Sequence, residues 1–390
     1  MKKHSKGYAK KTQKNENSNV FLSPSKGQIA ISFNWIFVII VGAVFLTFFF
    51  SIISSQTKSS DQKVSATIAK QFETILGTTS QQPGTFKTYR TSPIELNFFC
   101  DANRAISYYA IKDYPAGYTT YDVMFTPQKM QGTSMFTWTQ EWNYPFSVTN
   151  FLYVTNKFQM FIVYDPGDFG SSKVSTLLED FPSNLTVYRM NETKFPSSIV
   201  NDDVYTYVFF DSQLDDIDSV FGPENIITEK AQIVIIEPDL ISNIFKSGTV
   251  YFLTGEEYDD YLRLKNNLAS FDSSPYFGKA SLYGAMFSGE KQNYDCNMDK
   301  AFKRLDMMNT INMYRVENAI PDISPVTNCF FLYNGSSVVQ DGLKQILGNI
   351  SEELENGFLG LDKDRFIHSV ELLEDKNSRV SFESRCPGLY

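Results

Sequence analysis

The stretch that decides the reading is Ile36–Ile53: Ile-Phe-Val-Ile-Ile-Val-Gly-Ala-Val-Phe-Leu-Thr-Phe-Phe-Phe-Ser-Ile-Ile, with no charged residue. Extended back to Ile29 it reaches 25 residues, polar only at Ser32, Asn34, Thr47 and Ser51. A helix needs about 20 apolar residues to cross the hydrocarbon core of a bilayer. No other segment of this 390-residue chain approaches that length. The expectation is one transmembrane helix over 29–53, uncleaved. A cleaved secretory signal competes, but its apolar core would be about 7–15 residues, followed by a small-residue site.

Working outward, residues 1–26 carry seven lysines against Glu16, a net of +6, which leaves −15 for the remainder of a chain whose formal total is −9. Lys and Arg beside a span are retained in the cytoplasm. The predicted location is the cell membrane, with a basic cytoplasmic leader over 1–28 and an extracytoplasmic C-terminal domain. The basic leader is explained by the adjacent span, so no nucleic-acid partner is expected. Expected partners are the lipid bilayer and other envelope or membrane proteins.

Two further features agree with an outer location. Four Asn-x-Ser/Thr sequons, at Asn184, Asn191, Asn334 and Asn349, all lie beyond the span and are candidate glycosylation sites. The four cysteines, Cys100, Cys296, Cys329 and Cys386, also lie beyond it. An even number in an oxidising compartment suggests two disulfides. Three pairings exist; chain spacing favours Cys296–Cys329, with Cys100–Cys386 as the second. No Cys-x-x-Cys pair is present to suggest a zinc site.

Beyond the span, Val64, Ile68, Phe72, Ile75 and Leu76 fall on one face of a helix, predicting a stalk that continues to Leu76, with a linker following; stalk and linker together occupy 54–91. The globular domain is expected over 92–390 in three parts. Residues 92–157 read as β-rich, from alternations such as Ile94, Leu96 and Phe98. Residues 158–270 read as an α/β layer, Rossmann-like with a mainly parallel sheet, because apolar strand runs (158–164, 204–210, 233–236, 250–253) alternate with helical patterns (174–181, 256–267). Residues 271–390 read as helical, with helices near 297–319, 337–348 and 363–376 and a strand at Cys329–Tyr333. The fold class is thus α+β / α/β behind an N-terminal transmembrane helix. Trp138, Trp142, Tyr144 and Phe146 are read as packed core in preference to an exposed binding patch.

Candidate chemistry is sparse. The loop Asp165-Pro-Gly-Asp-Phe-Gly-Ser-Ser joins a strand to a helix, and Asp165, Gly167, Gly170, Ser171 and Ser172 make it the best ligand-loop candidate, since a helix start offers free N–H groups to an anion. It lacks the Gly-x-Gly-x-x-Gly and Walker patterns, and its two aspartates repel phosphate. His4 and His368 are the only histidines, which argues against Ser-His-Asp or Cys-His catalysis. The acidic pairs at 202–203, 215–216 and 256–257 receive no role. No catalytic residue, cofactor or metal is assigned.

Lys26-Gly27-Gln28 before the apolar stretch resembles the class III signal of archaeal type IV pilin-like proteins. That resemblance implies cleavage between Gly27 and Gln28 with the helix kept. More broadly, the chain resembles a group of archaeal single-pass membrane proteins of no established activity. The resemblance rests on Gly27-Gln-Ile-Ala-Ile-Ser-Phe-Asn-Trp-Ile-Phe, Thr137-Trp-Thr-Gln-Glu-Trp-Asn, Val148-Thr-Asn-Phe-Leu-Tyr and Cys296-Asn-Met-Asp-Lys-Ala-Phe-Lys-Arg-Leu. The function expected is a non-catalytic binding or assembly domain on a membrane anchor, with a pilin-like component of a surface structure as one form. The alternative is a tethered α/β enzyme acting on an envelope polymer or a small anionic ligand.

Overall fold

The computed structural model describes residues 27–79, 82–101, 104, 106–112, 117–165, 169–190, 204–211, 231–239, 243–255, 268–319, 328–335, 341–382 and 386. The chain divides into two compact units, 1–63 and 64–390. In the first, helix α1 begins at Gly27 and contains Trp35–Gln56, 22 residues long and apolar enough to cross a membrane. None of that window is buried against protein, and its composition suits an anchor and a signal sequence alike.

Helix α1 runs on to Thr79, three residues past the expected stop at Leu76. Within the second unit its last turns are an integral part of the fold. Ala69, Phe72 and Leu76 are buried, and the Phe72 ring lies 4.6 Å from Tyr109 and 6.2 Å from Phe98. The side chains of Val64 and Ile68 are outside the description. The sheet begins at Phe86, so the expected linker extending to 91 is shorter than predicted: Gly84-Thr85 already hydrogen-bond to Thr139.

The first sheet is built from β1 (Phe86–Asp101), β2 (Ile106–Ile111), β3 (Gly117–Thr120), β4 (Val123–Phe125), β5 (Lys129–Asn143) and β6 (Ser147–Thr155). Its order is β3-β2-β1-β5-β6-β4, antiparallel except for the β4/β6 pair. One face, with Leu96, Phe98, Tyr109, Met124 and Leu152, packs on the end of α1. The other, with Phe125, Trp138, Trp142 and Tyr153, belongs to the main core. A register shift between Arg90 and Ile94 changes which alternate residues of β1 face α1, from Tyr89 to Ile94 and Leu96.

The second sheet follows: β7 (Gln159–Tyr164), α2 (Phe169–Leu178), β8 (Thr186–Met190), β9 (Val204–Phe210), β10 (Gln232–Pro238), β11 (Ser247–Thr254) and β12 (Asp272–Phe277). Its order is β12-β11-β10-β9-β7-β8. The strands β8, β7, β9 and β10 are mutually parallel, whereas β11 and β12 are antiparallel. The sheet is therefore mixed, with three of its five strand pairings parallel, and it extends to Phe277, into the region expected to be helical. The predicted helix over 256–267 lies outside the described residues.

The C-terminal part is helical: α3 (Gly278–Ser288), α4 (Lys291–Ala319), α5 (Asn328–Asn334), α6 (Leu343–Leu354), α7 (Gly357–Gly360) and α8 (Lys363–Phe382). Cys329–Tyr333 forms helix α5, not the expected strand. An apolar run of five does not distinguish the two, and here the run packs on other helices, α6 and α8. Helix α3 is buried over Ala280–Ser288 and lies against the first sheet. Gly284 permits that approach, since a Cβ there would meet the Phe125 ring at 2.8 Å. Trp138, Trp142, Tyr144 and Phe146 are all buried in the main core, which is the packed-core reading of that cluster.

Candidate functional site: the polar seam along α4

Helix α4 runs between an edge strand of each sheet and hydrogen-bonds to both. The sequence pattern that positions it is a split face. Met298, Ala301, Phe302 and Leu305 enter the core, while Asn293, Asn297, Lys300 and Arg304 form a polar row at helical spacing beside them.

The row meets the open edge of the first sheet residue by residue. Asn293 Nδ2 donates to the Thr126 carbonyl. Asn297 Oδ1 accepts from the Met124 amide at 3.0 Å and from the Ser107 hydroxyl at 3.3 Å, while its Nδ2 donates to Asn293. Lys300 Nζ donates to the Asp122 carbonyl, to Ser107 Oγ at 2.8 Å and to Asn297 Oδ1 at 3.4 Å. Arg304 donates to the Tyr121 carbonyl at 2.7 Å and to Thr149 Oγ1. Ser107 lies on β2 and Met124 on β4, at opposite flanks of the sheet order. One oxygen reaching both means that the sheet curls until its flanks nearly meet, with α4 filling the gap.

On its other side α4 holds the edge strand of the second sheet. Tyr294 donates its hydroxyl proton to the Pro275 carbonyl at 3.0 Å, and Asp295 accepts from Ser274 Oγ and pairs with Lys291. Both Ser274 and Pro275 belong to β12.

Electrostatics single out Lys300. It is 2% exposed, and burial, reinforced by the Arg304 guanidinium one turn on, lowers its pKa to about 7; Asp122 opposes this. Burial also lowers Arg304 and raises Asp295 and Glu290. A lysine of that pKa is chemically suited to nucleophilic work. Here, however, its nitrogen is enclosed and donates to three oxygens, so it acts as a strut between α4 and the sheet. The sequence marks this segment as a helix over 297–319 but not its polar face, for which the i, i+4, i+7, i+11 row of Asn293, Asn297, Lys300 and Arg304 is the available signal.

The disulfides differ from the expected pairing. Cys100 joins Cys296, with Cα atoms 5.9 Å apart, and Cys329 joins Cys386 at 5.5 Å. The reason is the seam itself. Cys100 is the ladder partner of Ser107, and Ser107 bonds Asn297, the neighbour of Cys296. Helix α4 then runs about 35 Å away from Cys296 before the chain turns back. Cys329 thus lies among the C-terminal helices, where the end of the chain brings Cys386.

The ligand-loop candidate keeps only part of its described form. Tyr164 ends β7, and the Asp165 amide donates to the Met190 carbonyl at 2.7 Å. Gly170, Ser171 and Ser172 lie in the first turn of α2. Residues 166–168, Gly167 among them, lie outside the described residues, as do the three acidic pairs. His368 is exposed on α8. Gly27 and Gln28 open α1. Among the described residues, no group of three His, Cys, Asp or Glu side chains is placed to hold a metal ion. A groove of about 430 Å³ opens between α1 at Gln71–Ile75 and β1 at Tyr89–Thr91.

Comparison with protein-family models, with curated proteins and with solved structures found no match to this chain.

Proposed function

We propose that this chain is a single-pass membrane protein of the cell envelope, its N-terminus cytoplasmic and its C-terminal domain extracytoplasmic, serving binding or assembly rather than catalysis. The observation that carries the reading is the combination of one apolar helical window with no buried residue, Trp35–Gln56, with two disulfides beyond it. Disulfides persist in oxidising compartments, and the +6 leader orients the helix in the same sense. The binding-or-assembly part is supported by the use made of Lys300, Arg304 and Asp295, whose side chains tie α4 to two sheet edges. The partners proposed are the lipid bilayer and other envelope proteins, and a pilin-like subunit cut between Gly27 and Gln28 is the specific form. Protease added to intact cells is expected to digest the C-terminal domain and spare an N-terminal tag; protection of the domain defeats the reading. N-terminal sequencing of the mature chain is expected to begin at Gln28, and a chain beginning at Met1 or Lys2 excludes the pilin-like cut.

A second reading is favoured by one observation. Strands β8 and β9 flank β7 on opposite sides, so the winding of the parallel strands reverses beside Asp165. We read this as a Rossmann-like layer within a mixed sheet, where ligands bind at such reversals. An envelope polymer or a small anionic ligand would then sit at the β7/β9 end. Titration of the detergent-solubilised protein with phosphate and with envelope polysaccharide tests it: a rise in Tm with either supports the site, and no rise with either removes it.

A further inference from the structure

We propose that Asn184 is a site of N-linked glycosylation and that Asn349 is not, although both sit in sequons. The proposal rests on the extracytoplasmic reading above and adds which asparagine is used.

A sequon needs its hydroxyl residue, two positions on, to reach the side of the asparagine carboxamide. The local backbone decides whether it can. Asn184 lies between α2 and β8 in a tight turn closed by the Leu185 amide donating to the Pro182 carbonyl at 3.0 Å. Leu185 is buried in the main core and pins the turn, while Asn184 on its crest is exposed. Thr186, half-buried, opens β8. Among the described residues β8 pairs only with β7, so Asn184 stands at the outer edge of the sheet, where a bulky polar group has room.

Asn349 sits inside helix α6, half-buried beside fully buried Ile350. On a helix, residues two apart point about 200° from each other, so the Ser351 hydroxyl faces away from the Asn349 carboxamide. Using this site would require unwinding α6, whose Ile346, Leu347 and Ile350 belong to the main core. Asn334 ends α5, with Ser336 outside the described residues, and Asn191 is outside them as well.

In the modification, Nδ2 of Asn184 forms a C–N bond to the anomeric carbon of an oligosaccharide donated by a polyprenyl-phosphate-linked carrier. The carbon–oxygen bond to the carrier phosphate breaks, the phosphate leaves with the electron pair, and one Nδ2 proton passes to a base.

The test is glycopeptide mass spectrometry of full-length protein extracted from its native membrane, with electrophoretic mobility of variants beside it. An oligosaccharide mass is expected on the Asn184 peptide. It is lost in both Asn184→Gln and Thr186→Ala, whereas Asn349→Gln migrates like the parent. An unmodified Asn184, or a glycan on Asn349, overturns the proposal. Thiol labelling of the same sample separates the two levels. An unmodified Asn184 with all four cysteines oxidised refutes this inference alone; an unmodified Asn184 with four free thiols refutes the extracytoplasmic reading too.

Discussion

The side-chain oxygen of Asn297 lies 3.0 Å from the amide nitrogen of Met124 and takes the place of a neighbouring strand. Strand β4 is an edge, and an edge leaves a row of N–H and C=O groups unpaired. Along this one, Thr126, Met124, Asp122 and Tyr121 are each met by a side chain of α4. A helix that packs with one stripe and hydrogen-bonds with the next closes the edge without another strand.

Asn297→Leu is expected to cost about 2–4 kcal/mol. It removes an acceptor shared by Met124 and Ser107 and strands a buried amide. Asn297→Asp keeps the acceptor beside Lys300 and is expected to lose less. Urea unfolding of the detergent-solubilised protein, followed by tryptophan fluorescence, checks the order.

Lys300 predicts a pH dependence of definite sign. Its folded pKa of about 7 lies below the ordinary value of 10.5, so between these limits the unfolded chain binds more protons and stability rises with pH. Buried phenols oppose this at higher pH, because a raised folded pKa, about 12 for Tyr207, costs stability as pH climbs past 10. From pH 7 to 9.5 the parent protein is therefore expected to gain about 3 kcal/mol relative to Lys300→Met. Parallel stability curves for the two proteins over that range contradict the buried-ammonium assignment.

The disulfides close separate loops of 196 and 57 residues. In the chain-entropy model their removal costs about 5 and about 4 kcal/mol respectively. Cys100→Ser with Cys296→Ser is expected to lower Tm more than Cys329→Ser with Cys386→Ser. Non-reducing peptide mapping should recover Cys100 linked to Cys296; a Cys296–Cys329 peptide refutes the geometry of the α4 seam.

Phe72 tests whether the end of α1 belongs to the domain. It is buried among Phe98 and Tyr109. Phe72→Ala is expected to cost about 3–5 kcal/mol, read by the same urea unfolding. A loss below about 0.5 kcal/mol means that the helix does not pack there in solution.

By itself the sequence determined what depends on local composition and period. The charge-free run at 36–53 marks a helix long and apolar enough to cross a membrane, because bilayer thickness sets a length that no other segment has. The alternation Ile94, Leu96, Phe98 marks one face of β1, and the stripe Phe72, Ile75, Leu76 marks the buried side of α1, because each period is a property of its own element. What only the tertiary structure decided are relations between distant segments. Cys100 found Cys296 rather than Cys386 because β2 and α4 meet at Ser107 and Asn297, 190 residues apart in the chain. Cys329–Tyr333 became a helix because helices surround it, and β12 was drawn into the second sheet by β11. Lys300 reads as an ordinary surface charge in sequence. Its lowered pKa follows chiefly from burial, because the first sheet curls over it at Ser107 and Asp122 and excludes water, a condition set by packing; Arg304, one turn on along α4, adds to the lowering.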